Sequence, residues 1–399
     1  MDFSLTRLEN DEILTARSEA IRKGNDIEAL EPFARAYLGL FYDIDNKTEP
    51  AARIDLLVNP ELAKNIHAGF VAALQNQAIP DCEAIATAYT NNEHLELAYV
   101  VLVGMDMLEQ NNKAGMQALP KATLQAAVCF HLTTSTFHHN NWYESLLLEQ
   151  PGLVGDALLT MWRPLLHNKA SLLPGLHEIL KNEKYHKVLS HIIVPLLSVW
   201  VECRPQELSV LLQYALEKSD HEQFIAVAKD ILDDSENLPI RNHVYWLASV
   251  FMIDPEAYGQ TLINFTGQEK MKLLPLLDFT LAILTNKDRS LSLSPMAYAY
   301  LIRCLAVRFT PQEDSYGNLG EITMKVLWLF NQLANDKSEQ AKEALQWLQK
   351  IRVLKLYKDV FVQMQKQQST DAILELDAFV TSLREPGYLR MKKKWSDSR

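Results

Sequence analysis

Apolar residues recur along this chain at the spacing of a single helix face. One stripe begins behind Pro60 and contains Leu62, Ile66, Phe70, Val71 and Leu74. Two later stripes contain Leu208, Leu211, Leu212, Ala215 and Leu216, and then Phe224, Val227, Ala228, Ile231 and Leu232. Because this spacing places apolar side chains on one side of an α-helix, the pattern from Leu5 to Leu383 predicts a succession of amphipathic helices.

Helix starts are the clearest local signals. Asn59-Pro60-Glu61 and Asp254-Pro255-Glu256 each supply a capping side chain, a proline for the first helical position and an acid for the first turn. Ser294-Pro295 repeats the cap and the proline, and Thr310-Pro311-Gln312-Glu313 adds the glutamate of a capping box. Alternating strand patterns are almost absent, and Asn-Gly and Asp-Gly turns do not occur. We therefore predict an all-α fold without significant β-sheet.

The predicted helices are separated by short polar breaks rather than by flexible linkers. At 399 residues the chain exceeds the usual size of a single core, so it must divide into domains or grow as a stack. We predict stacked antiparallel helix pairs that form an α-solenoid of the HEAT or TPR type over residues 1–386. Sub-lobes are predicted at about 1–140 and 141–386, and a basic C-terminal tail at 387–399.

The spacing of prolines gives weak evidence of an internal repeat. Pro60, Pro151, Pro205 and Pro255 each open a predicted helix. Pro151 and Pro255 are also followed, at equal distances, by a glycine and then a leucine. A diverged helical repeat and a chance coincidence of four prolines both fit this pattern, and the sequence does not decide between them.

Composition and charge narrow the function classes. Hydrophobic residues make up 48% of the chain and the formal net charge is −11. Because an acidic chain repels phosphate and anionic lipid, bulk binding of nucleic acid or membrane is not expected. The longest apolar stretches, 192–201 and 273–284, are too short to span a bilayer. The first residues do not resemble a signal peptide, so we expect a cytoplasmic location.

The common sequence signatures of catalysis are missing from the chain. The chain has no Walker-type loop, no Gly-x-Gly-x-x-Gly, no His-Glu-x-x-His and no Gly-x-Ser-x-Gly. The cysteines lie far apart in apolar surroundings, which predicts buried, reduced thiols rather than a metal site: Cys82, Cys129, Cys203 and Cys304. We expect no catalytic residue, no cofactor and no metal.

One candidate for partner binding lies at a predicted turn. It combines two histidines with two aromatic residues: His138, His139, Trp142 and Tyr143. Large aromatic side chains dominate interface hot spots, so this segment could anchor a partner protein. In the alternative interpretation, Trp142 and Tyr143 begin the next helix and pack inward.

Two further candidates are basic. Lys350, Lys355 and Lys358 belong to the amphipathic stretch 350–366, where they form either an anion site or a solvated helix face. In the tail, basic residues stand beside a tryptophan: Lys392, Lys393, Lys394 and Trp395. They could hold a phosphate and stack on a base, or they could simply keep the tail soluble. Nucleic acid is therefore retained as an alternative partner.

Some stretches resemble a known group of proteins. Asn59-Pro60-Glu61-Leu62 through Leu74, Trp246-Leu247 with the following Asp254-Pro255-Glu256, and Ala344-Leu345 with the helix that runs to Phe379 are similar to the helical C-terminal regions of bacterial STAND proteins of the NACHT type. Those proteins act in antiphage defence. This chain lacks their P-loop ATPase, so the resemblance implies the ligand-sensing or interaction part alone, acting as a separate subunit.

The sequence as a whole favours a function based on surface rather than on chemistry. Our hypothesis is a non-enzymatic protein-binding scaffold or adaptor subunit of a bacterial multicomponent system, with defence as the leading context. Two alternatives stay open. One is a nucleic-acid-binding subunit that uses the basic C-terminal helix and tail, and the other is an enzyme whose site is assembled between helices.

Overall fold

The computed structural model describes residues 4–351 and 357, apart from 42, 46, 135–140, 171, 201–202, 235–237, 286–292 and 312–319. Within these ranges every regular element is helical, and no strand occurs. The all-α prediction is therefore confirmed. The chain divides into two compact units, Met1–Val199 and Trp200–Arg399. This boundary differs from the one predicted near residue 140.

The first unit is built from short and medium helices. They are α1 (Ser4–Thr15), α2 (Ser18–Arg22), α3 (Ile27–Tyr37), α4 (Pro50–Asp55), α5 (Pro60–Asn76), α6 (Cys82–Thr90), α7 (Leu97–Asn111), α8 (Lys113–Gln117), α9 (Lys121–Thr133), α10 (Asn141–Glu149), α11 (Pro151–His167), α12 (Leu176–Lys181) and α13 (His186–Val199), with a 3-10 helix at Glu183–Tyr185. Helix α5 packs against α2 and α7, and α11 packs against α6, α9 and α13. Because α9 and α11 contact each other directly, the two sides of residue 140 belong to one core.

In the second unit the helices contact one another in a simpler order than in the first. Its helices are α14 (Pro205–Lys218), α15 (His221–Asp233), α16 (Ile240–Ile253), α17 (Pro255–Thr266), α18 (Lys270–Leu284), α19 (Pro295–Ala306), α20 (Glu321–Asn335) and α21 (Glu339–Gln349). The main contacts join each helix to its neighbour in sequence or to the next helix but one. Examples are the series α14, α16, α18 and the series α17, α19, α21.

Three of the predicted helix starts are present with their caps. The Asn59 side chain accepts hydrogen bonds from the backbone N–H groups of Glu61 and Leu62, both at 3.0 Å. Asp254 and Ser294 cap α17 and α19 in the same way, each through the backbone N–H three residues later. A capping side chain followed by proline was thus sufficient to locate these helices from sequence. Of the predicted capping box at Thr310–Glu313, the residues Gln312 and Glu313 lie outside the described residues.

A buried polar network ties α3, α4 and α7 together. The Tyr37 hydroxyl donates to Asp106 Oδ2 over 2.6 Å, and the Gln110 side chain donates to the same oxygen over 2.9 Å. Arg53 donates to the backbone carbonyl of Tyr37 over 2.6 Å. Tyr37, Arg53 and Asp106 are all buried. Burial, with the neighbouring Asp106 carboxylate, raises the pKa of Tyr37, so its hydroxyl keeps its proton and remains a donor.

Two glycines allow α2 to approach α5 closely. A Cβ atom at Gly69 would lie 2.2 Å from the backbone oxygen of Ile21. Gly24, which follows α2 with φ of +70°, would place its Cβ 2.3 Å from the backbone nitrogen of Ala73. Since the obstructing atoms are backbone, a side chain at either position would force the two helices apart.

A lysine just beyond the C-terminal cap of α11 has a backbone conformation that suits glycine. Lys169 has φ of 55°, and the N–H groups of Lys169 and Ala170 return to Leu166 and Leu165. This is a Schellman motif, whose left-handed position is usually glycine. Lys169→Gly should raise the free energy of unfolding by about 0.5–1 kcal/mol, because strain relief exceeds the entropy that glycine adds to the unfolded chain. Urea unfolding measures this. Lys169→Ala, which keeps the strain, should bring no gain, and an equal gain in both variants would contradict the argument.

Candidate binding pocket

Helix α6 presents a tyrosine at the edge of a concave surface in the first unit. The Asp81 side chain caps the helix by accepting from the backbone N–H of Ala84 over 2.8 Å. Ile85 and Ala88 turn inward and are buried, whereas Tyr89 points away from the core and is 45% exposed. Helix packing therefore leaves nearly half of the Tyr89 surface accessible to solvent.

The chain reverses direction sharply after α6, and this turn forms the next wall of the concave surface. Asn92 has φ of 55°, and the backbone N–H groups of Asn92 and Glu93 return to the carbonyls of Tyr89 and Ala88. This is a second Schellman motif, with asparagine in the left-handed position that it tolerates better than most residues. The reversal carries the chain to the rim of the pocket and leads it into α7.

The pocket between α6, α7 and the end of α9 has a volume of about 320 Å³. Its floor is apolar and buried, and consists of Ile85, Ala88, Ala98 and Phe130. Its rim is polar and aromatic apart from Leu95. The exposed rim residues are Tyr89, Asn92, Glu93 and His94, and the half-buried ones are Leu95, Tyr99, Thr133 and Thr134. An apolar floor with a few polar groups around it is the usual composition of a binding pocket.

Contacts from α3 support one side of this rim. The His94 and Tyr99 rings lie 5.3 Å apart, and the Arg35 guanidinium sits 5.8 Å from the centre of the Tyr99 ring. Glu31 lies 3.6 Å from Arg35 and 3.7 Å from His94 Nε2. The positive charge of Arg35 is therefore already opposed by a carboxylate of its own helix.

The charge around the pocket is one-sided. From Asn65 to Asn112 the chain contains no lysine and no arginine, while it contains Asp81, Glu83, Glu93, Glu96, Asp106 and Glu109. At the rim, Glu93 Oε1 accepts a hydrogen bond from the Asn91 side chain over 3.1 Å. Within the described part of the chain, Glu93 has no basic partner. Among the described residues, the rim thus carries a carboxylate that forms no ion pair.

A second concavity, of about 350 Å³, lies between α1 and α3. Its lining is mostly apolar, and its charged residues are Arg17 and Glu28. These two pair with each other over 3.2 Å, and Arg17 also pairs with Asp26 over 2.5 Å. Because its charges are internally satisfied, this surface offers less to a polar partner than the pocket at Tyr89.

The structure places Trp142 and Tyr143 in the core rather than on the surface. Both belong to α10, with exposures of 0% and 3%, and their rings pack around that of His131. Burial raises the pKa of Tyr143, which keeps its hydroxyl protonated. The interpretation in which these residues pack inward therefore fits, and the suggestion that they anchor a partner is corrected, because neither presents surface.

Most of the other predicted partner residues lie outside the described residues: His138, His139, Lys355, Lys358, Lys392, Lys393, Lys394 and Trp395. Lys350 is described, and it is an exposed residue at the C-terminal cap of α21. It lines neither of the two concavities in the first unit.

Buried thiols agree with the interpretation of the cysteines. All four are free and buried. Burial raises the pKa of Cys304 to about 12, so its thiolate is scarce near neutral pH. The described residues contain no group of three or more potential metal ligands. None of their helices is long and apolar enough to cross a membrane.

Comparisons with known protein families, with curated proteins and with solved structures gave no match. The pocket residues Tyr89, Asn92, Glu93, His94 and Tyr99 were not among those predicted from sequence. One signal pointed to them, namely the absence of lysine and arginine from 65–112 beside the polar run at 90–94. That signal indicates an acidic surface, but it does not reveal a cavity, which depends on how three helices pack.

Proposed function

We propose that this protein is a non-enzymatic protein-binding scaffold or adaptor subunit, and that the pocket at Tyr89 receives a side chain of its partner. The observation that carries this proposal is a half-exposed tyrosine beside an apolar floor, surrounded by polar groups. Interfaces concentrate their binding energy in such places, where an aromatic residue borders a pocket that a partner can desolvate. The exposed area of Tyr89 is available for that contact.

The proposal includes a stacked arrangement of antiparallel helix pairs. Its support is the order of contacts in the second unit, where helices pack on their sequence neighbours and on the next helix but one. In a solenoid each repeat contacts mainly its neighbours, and the stack offers an extended surface for binding. Such an architecture suits a scaffold better than a reaction centre.

The biological context rests on resemblance alone. Sequence similarity of segments such as 59–74 to the helical regions of STAND proteins suggests a bacterial multicomponent system, with antiphage defence as its setting. Within that setting the chain would supply an interaction surface, while a separate protein would supply the ATPase.

A photo-crosslinking amino acid at position 89 tests the proposal in the cells that encode the protein. We expect one discrete crosslinked partner from position 89. Leu148 is the matched control, because it is 44% exposed, belongs to the same unit and does not line the pocket. The purified partner should then bind the chain. Tyr89→Ala should raise the Kd of this complex at least tenfold, whereas Leu148→Ala should leave the Kd unchanged. Equal crosslinking from both positions, or no defined partner, would overturn the proposal.

A further inference from the structure

The geometry points to a basic side chain, an arginine or a lysine, as the group that the pocket receives from its partner. This inference rests on the proposed function and adds the chemistry of recognition to it. Three observations carry it, namely the charge of the walls, the aromatic surface at the rim and the size of the cavity.

Charge supplies the first observation. The pocket lining contains one carboxylate, Glu93, and one imidazole, His94. Glu93 has no basic partner within the described residues. The helices α6 and α7 and the turn between them contain no lysine or arginine. Arg35 lies nearby, but Glu31 opposes its charge at 3.6 Å. An incoming cation would therefore meet a carboxylate, whereas an incoming carboxylate would meet repulsion.

Aromatic surface supplies the second observation. Tyr89 and Tyr99 border the cavity, and Phe130 contributes to its floor. Ammonium and guanidinium groups are attracted to the faces of such rings. The protein already makes this contact internally, since the Arg35 guanidinium lies 5.8 Å from the Tyr99 ring centre. A second cation, supplied by a partner, would use the same kind of contact at the exposed ring of Tyr89.

The shape of the cavity supplies the third observation. A volume of about 320 Å³ is at the small end for ligand pockets, which suits one long side chain rather than a folded segment. Lysine and arginine carry an aliphatic stem below the charge, and that stem would lie against Ile85 and Ala98 on the apolar floor. The charged head would then remain at the rim, beside Glu93.

Two short peptides of nearly equal shape test the inference with the purified full chain. The first is acetyl-Ala-Arg-Ala-amide, and the second replaces arginine with citrulline, which has the same length and no charge. Saturation-transfer NMR should show that the arginine peptide binds at least fivefold more tightly than the citrulline peptide. The difference should shrink at high salt, because the contact is made at an exposed rim. A lysine peptide in a third arm separates guanidinium from ammonium recognition.

Glu93→Gln should remove most of the preference for the arginine peptide. Glu83→Gln is the matched control, since Glu83 is an exposed acid of the same acidic stretch that does not line the pocket. Circular dichroism and urea unfolding establish that both variants fold. Equal binding of the two peptides, or equal effects of the two substitutions, would overturn the inference.

The outcomes also separate this inference from the proposed function. If a partner is crosslinked from position 89 but the arginine peptide is not preferred, the scaffold proposal stands and the inference of a basic side chain is overturned. Binding of the arginine peptide without any crosslinked partner would overturn the scaffold, and with it the idea that a protein supplies the cation.

Discussion

Replacing Asp106 with alanine is expected to lower the free energy of unfolding by about 3 kcal/mol. The Asp106 carboxylate lies in the core and accepts from the Tyr37 hydroxyl and the Gln110 amide. Without it, the buried Tyr37 hydroxyl loses its closest acceptor, and the space left by the carboxylate stays unfilled. Arg53 is also buried and donates to the backbone carbonyl of Tyr37, so a displaced Tyr37 would disturb a second buried hydrogen bond. Urea unfolding followed by circular dichroism measures the loss.

Two comparisons distinguish this network from a general effect of removing an aspartate. Tyr37→Phe should cost about 1 kcal/mol, because the carboxylate keeps its bond from Gln110. Asp233→Ala removes an exposed aspartate from the last turn of α15 and should change stability by less than about 0.5 kcal/mol. If Asp106→Ala and Asp233→Ala have equal effects, the network contributes nothing to stability.

Gly69→Ala is expected to destabilise the protein as much as Asp106→Ala does, by about 3 kcal/mol, although it adds a single methyl group. The new Cβ would lie 2.2 Å from the backbone oxygen of Ile21, where no side chain can move aside to make room. Helix α2 would have to shift away from α5. Helix propensity acts in the opposite direction, since alanine is favoured over glycine by up to about 1 kcal/mol, and it does not offset the clash.

Gly152→Ala provides the control for this substitution. Gly152 lies in the first turn of α11, and the nearest atom that its added methyl group would meet belongs to His191 at 3.9 Å. The same chemical change should therefore leave stability unchanged or raise it slightly. Thermal unfolding of both variants measures the difference. A Gly69→Ala protein as stable as the Gly152→Ala protein would show that α2 and α5 are not held at this close approach.

What the sequence could predict is largely what short segments determine. The cap and proline at Asn59 and Pro60 act within one helical turn, so the start of α5 could be located without knowing any other helix. The buried stripe from Leu208 to Leu216 follows from helical spacing in the same way. The burial of Cys129 follows from its apolar neighbours, whereas Cys82 and Cys203 stand between charged residues and their burial depends on how the helices pack.

The rest depends on contacts between segments far apart in sequence. Asp106 stands in an apolar run, and nothing local indicates that Tyr37 will meet it. The pocket likewise requires Phe130 to face α6 and α7, which is set by how three helices pack. Trp142 shows the reverse problem, since an aromatic residue after a polar turn fits an exposed anchor and a buried core residue equally well. Local pattern gives the side of a helix, but it does not give the neighbour that the side meets.

The stretch without lysine or arginine also determines how this protein can be cleaved by proteases and labelled by chemical reagents. Trypsin cleaves after those residues, so it cannot cut between Lys64 and Lys113, both of which are exposed. Digestion should release most of α5, all of α6 and all of α7 as a single fragment, 65–113. Amine-reactive labels will find no lysine before its last residue. Any adduct at Tyr89 or Glu93 will travel on that one fragment. A protease that cleaves after glutamate leaves both residues on peptide 84–93, so fragmentation in the mass spectrometer is needed to tell the two sites apart.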